Sequence, residues 1–577
     1  MHRGGFGRAG AAPAAPAQLD RFDVAAVVGL AVLVLALYGT SAVADGWTSF
    51  DDPAYLWFVH RYSPATYLWS PELWQEITPS HFTPLLPLRY ELDYAVHGLR
   101  LWPYALHNVV ALAGATVTTY ALLRQWVDRI PALLFAAVFV VNPSTVITVH
   151  ESSTSHYVFG LVFAAAALLL FRRALRRDRL VDSLAASALL FLAMLSKEVY
   201  VSWVLFFALL GFNGGRLRHL VPPIVVTVAY FAWRTRMLDS AIGGYAPLSE
   251  LTVPAVLKLL SGIVLAMTGS WTASALVIAM LVGAGAFALM RRKIDRRAIV
   301  AAVLACAAIL GPLLPLAIFP GISEPGRLTF VIGWALAVGL ALLFALFARD
   351  LRRHRVLWLL LAVVPMLALL ANAWPIRAAR SQTTARIAAE GRFLLDSRAD
   401  AYVWLPAAPG WYTHSTEQLR TQAAPKGGGP VGIADFGETW RISAAPRQLW
   451  RYDGETAAMA PADDASARYE RWCRSLGVRE MSIDLDYSER TRVVRWRLRA
   501  DGNAGRFTLL SPGPFNNVSL AADGATRIHR ASLTEFRIRH EADGGTVAYS
   551  PVLSWAPSQK QLSWSGRSVA MPGCNRP

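Results

Sequence analysis

Two adjacent carboxylates, Asp51 and Asp52, head the aromatic stretch Phe50-Asp51-Asp52-Pro53-Ala54-Tyr55-Leu56-Trp57, in a loop holding seven acidic side chains between positions 45 and 93. Neighbouring carboxylates repel, and a nearby apolar boundary favours a proton on one of them. A carboxylate held in this way can serve as general base toward a hydroxyl. Asp52-Pro53 also reads as a helix start, with Asp as the cap and Pro at the first helical position, where its missing N–H is not needed. Asp51 has no such occupation. Further along, Lys197, Arg234, Arg236 and Arg327 stand beside apolar tracts, where a cation is costly enough to call for a functional partner. Each also has a plainer reading: Lys197 as an ion pair with Glu198, Arg327 as one with Glu324, Arg234 and Arg236 as side chains reaching to lipid headgroups. His81, with an interfacial residue as its plain alternative, and His150-Glu151, which could simply close a short loop, complete the polar set. His107 and Asn108 read more simply as bonds between helices.

The elements that must position these residues follow from composition. The chain has 577 residues, 54% apolar and 16% charged, with 56 basic against 39 acidic groups. Globular proteins carry about 25% charge, so a disordered chain, a small disulfide scaffold and an ordinary soluble enzyme are excluded, and a bilayer protein remains. Apolar tracts near the length of a span run at 22–44, 103–123, 130–149, 156–171, 182–196, 199–212, 220–237, 259–290, 298–319, 328–348 and 356–374, eleven in all. With the N-terminus in the cytoplasm, the inner loops carry 21 Lys and Arg and the outer loops eight. That asymmetry fits the positive-inside rule, and it explains the basic balance without nucleic acid. It places the loop 45–102 and the segment 376–577 outside a cytoplasmic (inner) membrane. Ser41-Ala42-Val43-Ala44 resembles a signal-peptidase site, but a retained anchor fits better, because the loop after it needs fixing to the membrane. Within that loop, 53–62 and a stretch from about Pro84 to His97, stopped by Gly98, read as two helices lying on the membrane surface.

Three regions result: a disordered cytoplasmic tail (1–21), a transmembrane domain (22–375) and a β-rich extracytoplasmic domain (376–577), with the boundary at Trp374-Pro375. The outer region opens with a helix, 380–396. Arg492-Val493-Val494-Arg495-Trp496-Arg497-Leu498-Arg499 and Phe536-Arg537-Ile538-Arg539 then alternate like half-buried strands of a small sandwich or barrel. Cys473 and Cys574 fall there and are expected to pair in an oxidising compartment. Cys306 reads as packing inside a span. No zinc-type Cys/His spacing, Walker loop or nucleophile-elbow motif is present. No cofactor is demanded, and dependence on a divalent metal is left open.

An acidic pair just after the first span, followed by an aromatic surface helix, resembles the GT-C glycosyltransferases, polytopic enzymes that include the protein O-mannosyltransferases, the aminoarabinose transferases and the tetratricopeptide-bearing mannosyltransferases. Further likenesses come in the family's order: His81-Phe82-Thr83-Pro84-Leu85 at the entry to the second surface helix, Trp102-Pro103-Tyr104-Ala105-Leu106-His107-Asn108 opening the next span, the Ser196-Lys197-Glu198 turn, Arg234 followed by Gly243-Gly244-Tyr245, and Arg327-Leu328 opening a late span. The resemblance covers about 25–350. Thr83 stands where an Arg is expected, and Ile147 where some members carry an acid, with Glu151 one turn on as a possible stand-in. No tetratricopeptide repeats follow.

The resemblance implies an inverting transfer from a polyprenyl-phosphate sugar to an envelope glycan, lipid or protein on the outer face. A lipid phosphate leaves as an anion, so one base suffices, in contrast to the paired carboxyls of glycosidases. Asp51 and Asp52 are then the catalytic candidates. Lys197, Arg234, Arg236 and Arg327 are candidates for the donor phosphate, since Arg forks and Lys point charges both suit its oxygens. His81, His150, Glu151, Glu198 and Tyr245 are candidates for contact with the substrates. A lipid-linked saccharide flippase, which predicts inverted repeats, and a non-catalytic assembly subunit of the same fold are the alternatives.

Overall fold

The computed structural model describes residues 20–42, 46–241, 252–275, 304–312, 326–348, 355–397 and 401–574, apart from 79, 215, 273, 424–428, 442–447, 490–492, 502–504, 512–516, 528–532, 557 and 572–573. Tyr245 with Gly243 and Gly244, Glu324, most of the N-terminal tail and much of the expected spans 259–290 and 298–319 lie outside the described residues.

The first three-fifths is helical. Its helices are α1 (Arg21–Ala42), α2 (Asp52–Arg61), α3 (Pro64–Tyr67), α4 (Pro71–Ile77), α5 (Leu85–His97), α6 (Trp102–Leu123), α7 (Arg129–Val140), α8 (Pro143–Val149), α9 (Ser155–Arg177), α10 (Leu180–Ser196), α11 (Val204–Gly214), α12 (Val221–Leu238) and α13 (Val253–Thr268), then α14 (Phe330–Ala348) and α15 (Arg355–Asp396). Among the described residues three stretches are long and apolar enough to cross a bilayer: Arg21–Thr40, Trp102–Leu123 and Ser152–Arg177. The tract expected as one span at 130–149 is α7 plus α8, bent by 56° at the break between them. Asn142 makes that break. Its side chain accepts from the Ser144 N–H and starts α8, with Pro143 in the first turn. The expected span 259–290 is also interrupted, because α13 stops at Thr268 and Gly269 follows in the left-handed region at φ 75°. The outward face of α1 shows Val24, Val28, Val32 and Leu35, a surface suited to hydrocarbon rather than water. Cys306 is exposed, not packed.

The core of this part is aromatic. α6 packs against α1 and α9, and α9 against α10. Trp203 stacks on Trp334 at 4.9 Å, and the Trp334 indole N–H donates to Thr119 Oγ1 (2.9 Å). The stretch expected to be helical from about Pro84 to His97 is helical from Leu85 to His97, and Gly98 (φ 59°) caps it by donating to the Tyr94 carbonyl.

The expected boundary at Trp374-Pro375 falls inside α15, which runs unbroken from Arg355 to Asp396. Pro375 costs that helix one backbone bond, yet the helix continues, so hydropathy changes at this point and secondary structure does not. α15 touches α8 in the helical part and β3 and β4 beyond it. A helix therefore ties together two parts that composition divides.

The region after α15 is β-rich in two different ways. It begins as an α/β unit. β1 (Tyr402–Trp404) lies parallel to both β2 (Val431–Ile433) and β3 (Leu449–Asp453), with α16 (Gly410–Ala423) between β1 and β2, and β4 (Ala458–Pro461) pairs antiparallel to β3. After α17 (Ala465–Ser475) come β5 (Glu480–Ser488), β6 (Val493–Ala500), β7 (Gly505–Leu510), β8 (Val518–Leu520), β9 (Asp523–Arg527), β10 (Glu535–Ala542), β11 (Val547–Tyr549), β12 (Leu553–Ser554) and β13 (Gln561–Arg567), which form two antiparallel sheets ordered β13-β5-β6-β9 and β11-β10-β7-β8, with β12 on β10. Ile483, Leu485, Val494 and Leu498 from one sheet share a core with Phe507, Phe536 and Ile538 from the other, as in a sandwich. β6 (Val493–Ala500) alternates as expected, with Val494 and Leu498 buried and its arginines exposed. β10 (Glu535–Ala542) departs from the expected half-buried pattern. Arg537 is buried with a guanidinium nitrogen 3.2 Å from Met571 Sδ, because the C-terminal tail covers that face. Cys473, in α17, is disulfide-bonded to Cys574 in the tail.

Candidate functional site

The loop before α2 builds the site, and it treats its two carboxylates in opposite ways. Asp52 is 3% exposed. Its Oδ2 accepts from the Thr48 N–H (2.7 Å), the Thr48 hydroxyl (2.8 Å) and the Ser49 N–H (2.9 Å), and its Oδ1 from the Ser49 hydroxyl (2.9 Å) and the Tyr90 hydroxyl (2.6 Å). Asp52 therefore folds the loop back on itself and pins it to α5. Its expected role as helix cap is corrected: the cap position is Asp51, whose side chain makes no capping bond. Asp52 is buried under five hydrogen bonds and does not line the cavity that Asp51 faces.

Asp51 faces the other way. It helps line a cavity of about 190 Å³ whose walls come from the 48–51 loop, Glu151, Arg327, one face of α15 between Arg380 and Ile387, and Pro409 and Trp411. Arg327 reaches Asp51 Oδ2 at 3.2 Å and Glu151 at 3.8 Å. The Trp411 indole N–H donates to Asp51 Oδ1 (3.1 Å), and Arg380 pairs with Glu151 (3.1 Å). Burial pushes the Glu151 carboxyl upward, opposed by Arg327 and Arg380.

The second wall is fastened to the first. Thr48 Oγ1 accepts from the Ser152 N–H (2.7 Å), Ser49 and Ser153 hydroxyls meet at 2.9 Å, and Asn108 donates to the carbonyls of Val149 (2.9 Å) and Glu151 (3.0 Å). The long helix approaches just as closely. A Cβ at Gly391 would lie 1.8 Å from Trp47 Cδ1, and one at Gly46 would lie 2.4 Å from Ala388 Cβ, so both positions need glycine for the loop to seat on α15.

The expected cations divide. Arg327 lines the cavity. Lys197 sits at the break after α10 with its ammonium 5.0 Å from the Tyr157 ring centre. Burial pushes its pKa down to about 8, Glu198 and Asp51 opposing and Arg327 assisting. Arg234 is turned inward. Its Nε meets Glu198 Oε1 at 2.7 Å, and it also donates to the carbonyls of Ser240 and Ser80. Glu198 is thus the partner of Arg234, and it also accepts from the Phe82 N–H (2.8 Å). Arg236 is exposed, away from the cavity.

His81 is held by the hydroxyls of Thr78 (3.0 Å) and Ser80 (3.1 Å). Burial, with Lys197, Arg327 and Arg234 adding, drives its pKa far down. His150 bonds the Val146 carbonyl (2.7 Å) and is lowered chiefly by burial. Neither histidine is part of the cavity wall. The structure thus brings together Asp51, Glu151 and Arg327, keeps Lys197 and His81 within electrostatic reach of Arg327, and leaves Asp52, Arg234, Arg236, His150 and Glu198 elsewhere.

Arg380 and Trp411 were not foreseen. Both follow the last apolar tract, and in sequence they sit among ordinary polar residues. The one signal was helical spacing: Arg380, Thr383, Thr384 and Ile387 recur at intervals that form a single helix face.

No family model matches the sequence, and no curated protein does. Among solved structures, the crystal structure of ArnT from Cupriavidus metallidurans in the apo state is similar over 75% of this chain and 94% of that one, at 16% identity and a TM-score of 0.40. The chemistry of the cavity therefore rests on its own residues.

Proposed function

We propose that the chain is an inverting glycosyltransferase of the GT-C kind, seated in the cytoplasmic membrane with its cavity on the outer face, moving a sugar from a polyprenyl-phosphate donor to an envelope glycan, lipid or protein. The observation that carries this reading is Asp51: a carboxylate at a cavity wall whose Oδ2 is met by an arginine at 3.2 Å and whose Oδ1 accepts an indole N–H at 3.1 Å. The ordered likeness of its surrounding motifs to that family supports it.

Asp51 removes the proton as the acceptor oxygen attacks the anomeric carbon from the face opposite the phosphate. The bond between that carbon and the phosphate oxygen breaks, and the phosphate leaves with the electron pair. Arg327 has a use on either side of the step. Before the donor arrives it pairs with Asp51 and Glu151. A lipid phosphate offers it a better bidentate partner, so donor binding draws it off Asp51 and restores the carboxylate's basicity when substrate is present. Lys197 adds positive charge to the same neighbourhood. The 402–571 region contributes Trp411 to the wall and is the natural seat for the acceptor.

The test is mass spectrometry of envelope glycans, lipids and proteins from cells with and without the gene, complemented by wild type or by Asp51→Asn. The expected result is a hexose, pentose or aminosugar that disappears with the gene and returns with wild type only. Asp51→Asn should lose at least about 10³-fold in turnover while folding and binding donor. Full restoration by Asp51→Asn would overturn the assignment of the base, and an unchanged envelope in the deletion would overturn the transfer reading.

A further inference from the structure

A second polar cluster lies at the corner between α5 and α6. Asp93 and His97 are one turn apart on α5 and so share a face. His107 comes from the second turn of α6. A carboxylate oxygen and one nitrogen from each histidine all lie within 4.8 Å of one another. Asp93 is fully buried, and Arg89 Nε holds its Oδ2 at 2.8 Å. Oδ1 is left facing His107 Nδ1 at 2.6 Å, and the His107 side chain is 41% exposed. The ring of His97 stands 6.2 Å from that of His107, centre to centre. A plain Asp–His pair accounts for two of these residues. It does not account for His97, whose ring has no hydrogen bond among the described residues.

We propose that Asp93, His97 and His107 bind a zinc ion or a similar divalent transition metal. Two imidazoles and one carboxylate are a ligand set for zinc, and a solvent-facing fourth position would take water. Bonds of about 2.0–2.1 Å in a tetrahedron place ligand atoms roughly 3.3 Å apart. The 2.6 Å contact need only open slightly while His97 swings in, and both histidines have room at the surface. Arg89 on the second oxygen is the kind of outer partner that fixes a ligating carboxylate.

The ion would fasten α5 to α6. That matters because α5 also carries Tyr90, which bonds Asp52, and Arg89, which donates to the Ser152 carbonyl at 3.1 Å beside Glu151. A metal at this corner would brace the helix that holds both edges of the cavity while standing outside it.

The test uses the full chain in detergent, stripped with a chelator and then loaded with Co2+ or Zn2+. Wild type is expected to bind about one ion per chain, with the intense visible bands of tetrahedral cobalt and their loss on adding zinc. His97→Gln and His107→Gln should each fall to background while melting as folded proteins, and His60→Gln, on α2, should retain the ion. Wild type holding less than about a tenth of an ion per chain at micromolar zinc, or His97→Gln keeping its full content, would overturn the site. Metal content is measured without any sugar substrate, so this result stands apart from the outcome of the envelope experiment.

Discussion

Asp51 and Asp52 are consecutive, chemically identical and one backbone step apart, yet their side chains face different surroundings. Asp52 closes a sealed bracket of five hydrogen bonds beneath the loop. Asp51 opens on the cavity with an arginine and an indole as its partners. The contrast separates a carboxylate that makes structure from one that is available for chemistry. A saturated carboxylate resists both proton uptake and movement. One held by an arginine that is half exposed keeps a partner that is able to move away.

Asp52→Ala breaks the comparison from the structural side and should have the largest effect on stability. It leaves the N–H groups of Thr48 and Ser49 and the Tyr90 hydroxyl without their acceptor in a buried place, at a cost of about 3–5 kcal/mol. Thermal melting of the purified protein should show a large loss. If Asp52→Ala melted like wild type but was inactive, Asp52 would be a reacting group and the contrast would fail.

Glu390, on the stretch of α15 that packs against the loop, tests whether the bracket tolerates charge. It is buried, and desolvation pushes its pKa up to about 7 against the pull of Arg386. A carboxyl raised from the ordinary 4.5 is more protonated in the folded state, so its contribution to stability is complete below about pH 4.5 and is lost as pH rises through about 7. Glu390→Gln has no such loss. Its melting advantage over wild type should be absent near pH 4.5 and grow to about 2–3 kcal/mol by pH 8. A constant offset across that range would mean the carboxyl is not protonated in the folded protein.

Lys197 tests the open side. Its pKa near 8 means that the free protein loses this charge as pH climbs past that value. Donor affinity should weaken by a factor of about ten for each pH unit above 8 if the ammonium serves the phosphate. In Lys197→Arg the charge persists, and the affinity should be flat to pH 9.5. A wild type that is equally flat would remove Lys197 from the phosphate site.

The sequence carried much of this and missed the rest for physical reasons. Period and hydropathy disclosed the apolar helices, the start of α2 and the stop at Gly98, because these depend on neighbours in the chain. The contrast between Asp51 and Asp52 was half visible: one of the pair was expected to be occupied, but the occupation came from hydrogen bonds to residues 48, 49 and 90 and not from a helix cap. Glu198 shows the same limit. Its neighbour in sequence is Lys197, and its partner in space is Arg234, a pairing that depends on how α10 and α12 dock. Arg380 and Trp411 reach the cavity only because α15 runs on past the expected boundary at Trp374-Pro375, and hydropathy reports the medium around a helix and not its end. The histidine corner was hidden because its ligands straddle a turn, four residues apart on one helix and ten across the junction, outside any familiar metal spacing.

The smallest expected effect is the most specific to the comparison. Trp411 gives Asp51 a single N–H bond at 3.1 Å, so Trp411→Phe keeps the ring and deletes only the donor. A hydrogen bond to a charged group contributes about 1.5–3 kcal/mol when buried, and less here because the Asp51 side chain is 30% exposed. If Asp51 is the base, turnover should fall by about three- to tenfold, with donor affinity unchanged, because the indole touches Asp51 and not the cations. In the proposed mechanism Asp51 gives up Arg327 when donor binds. Asp51 would still not be free to wander, because the Trp411 indole would keep Oδ1 in place as Arg327 left Oδ2. If Trp411→Phe weakened donor binding and left turnover intact, the indole would belong to the phosphate side of the cavity, and the division of labour between the two oxygens of Asp51 would have to be reversed.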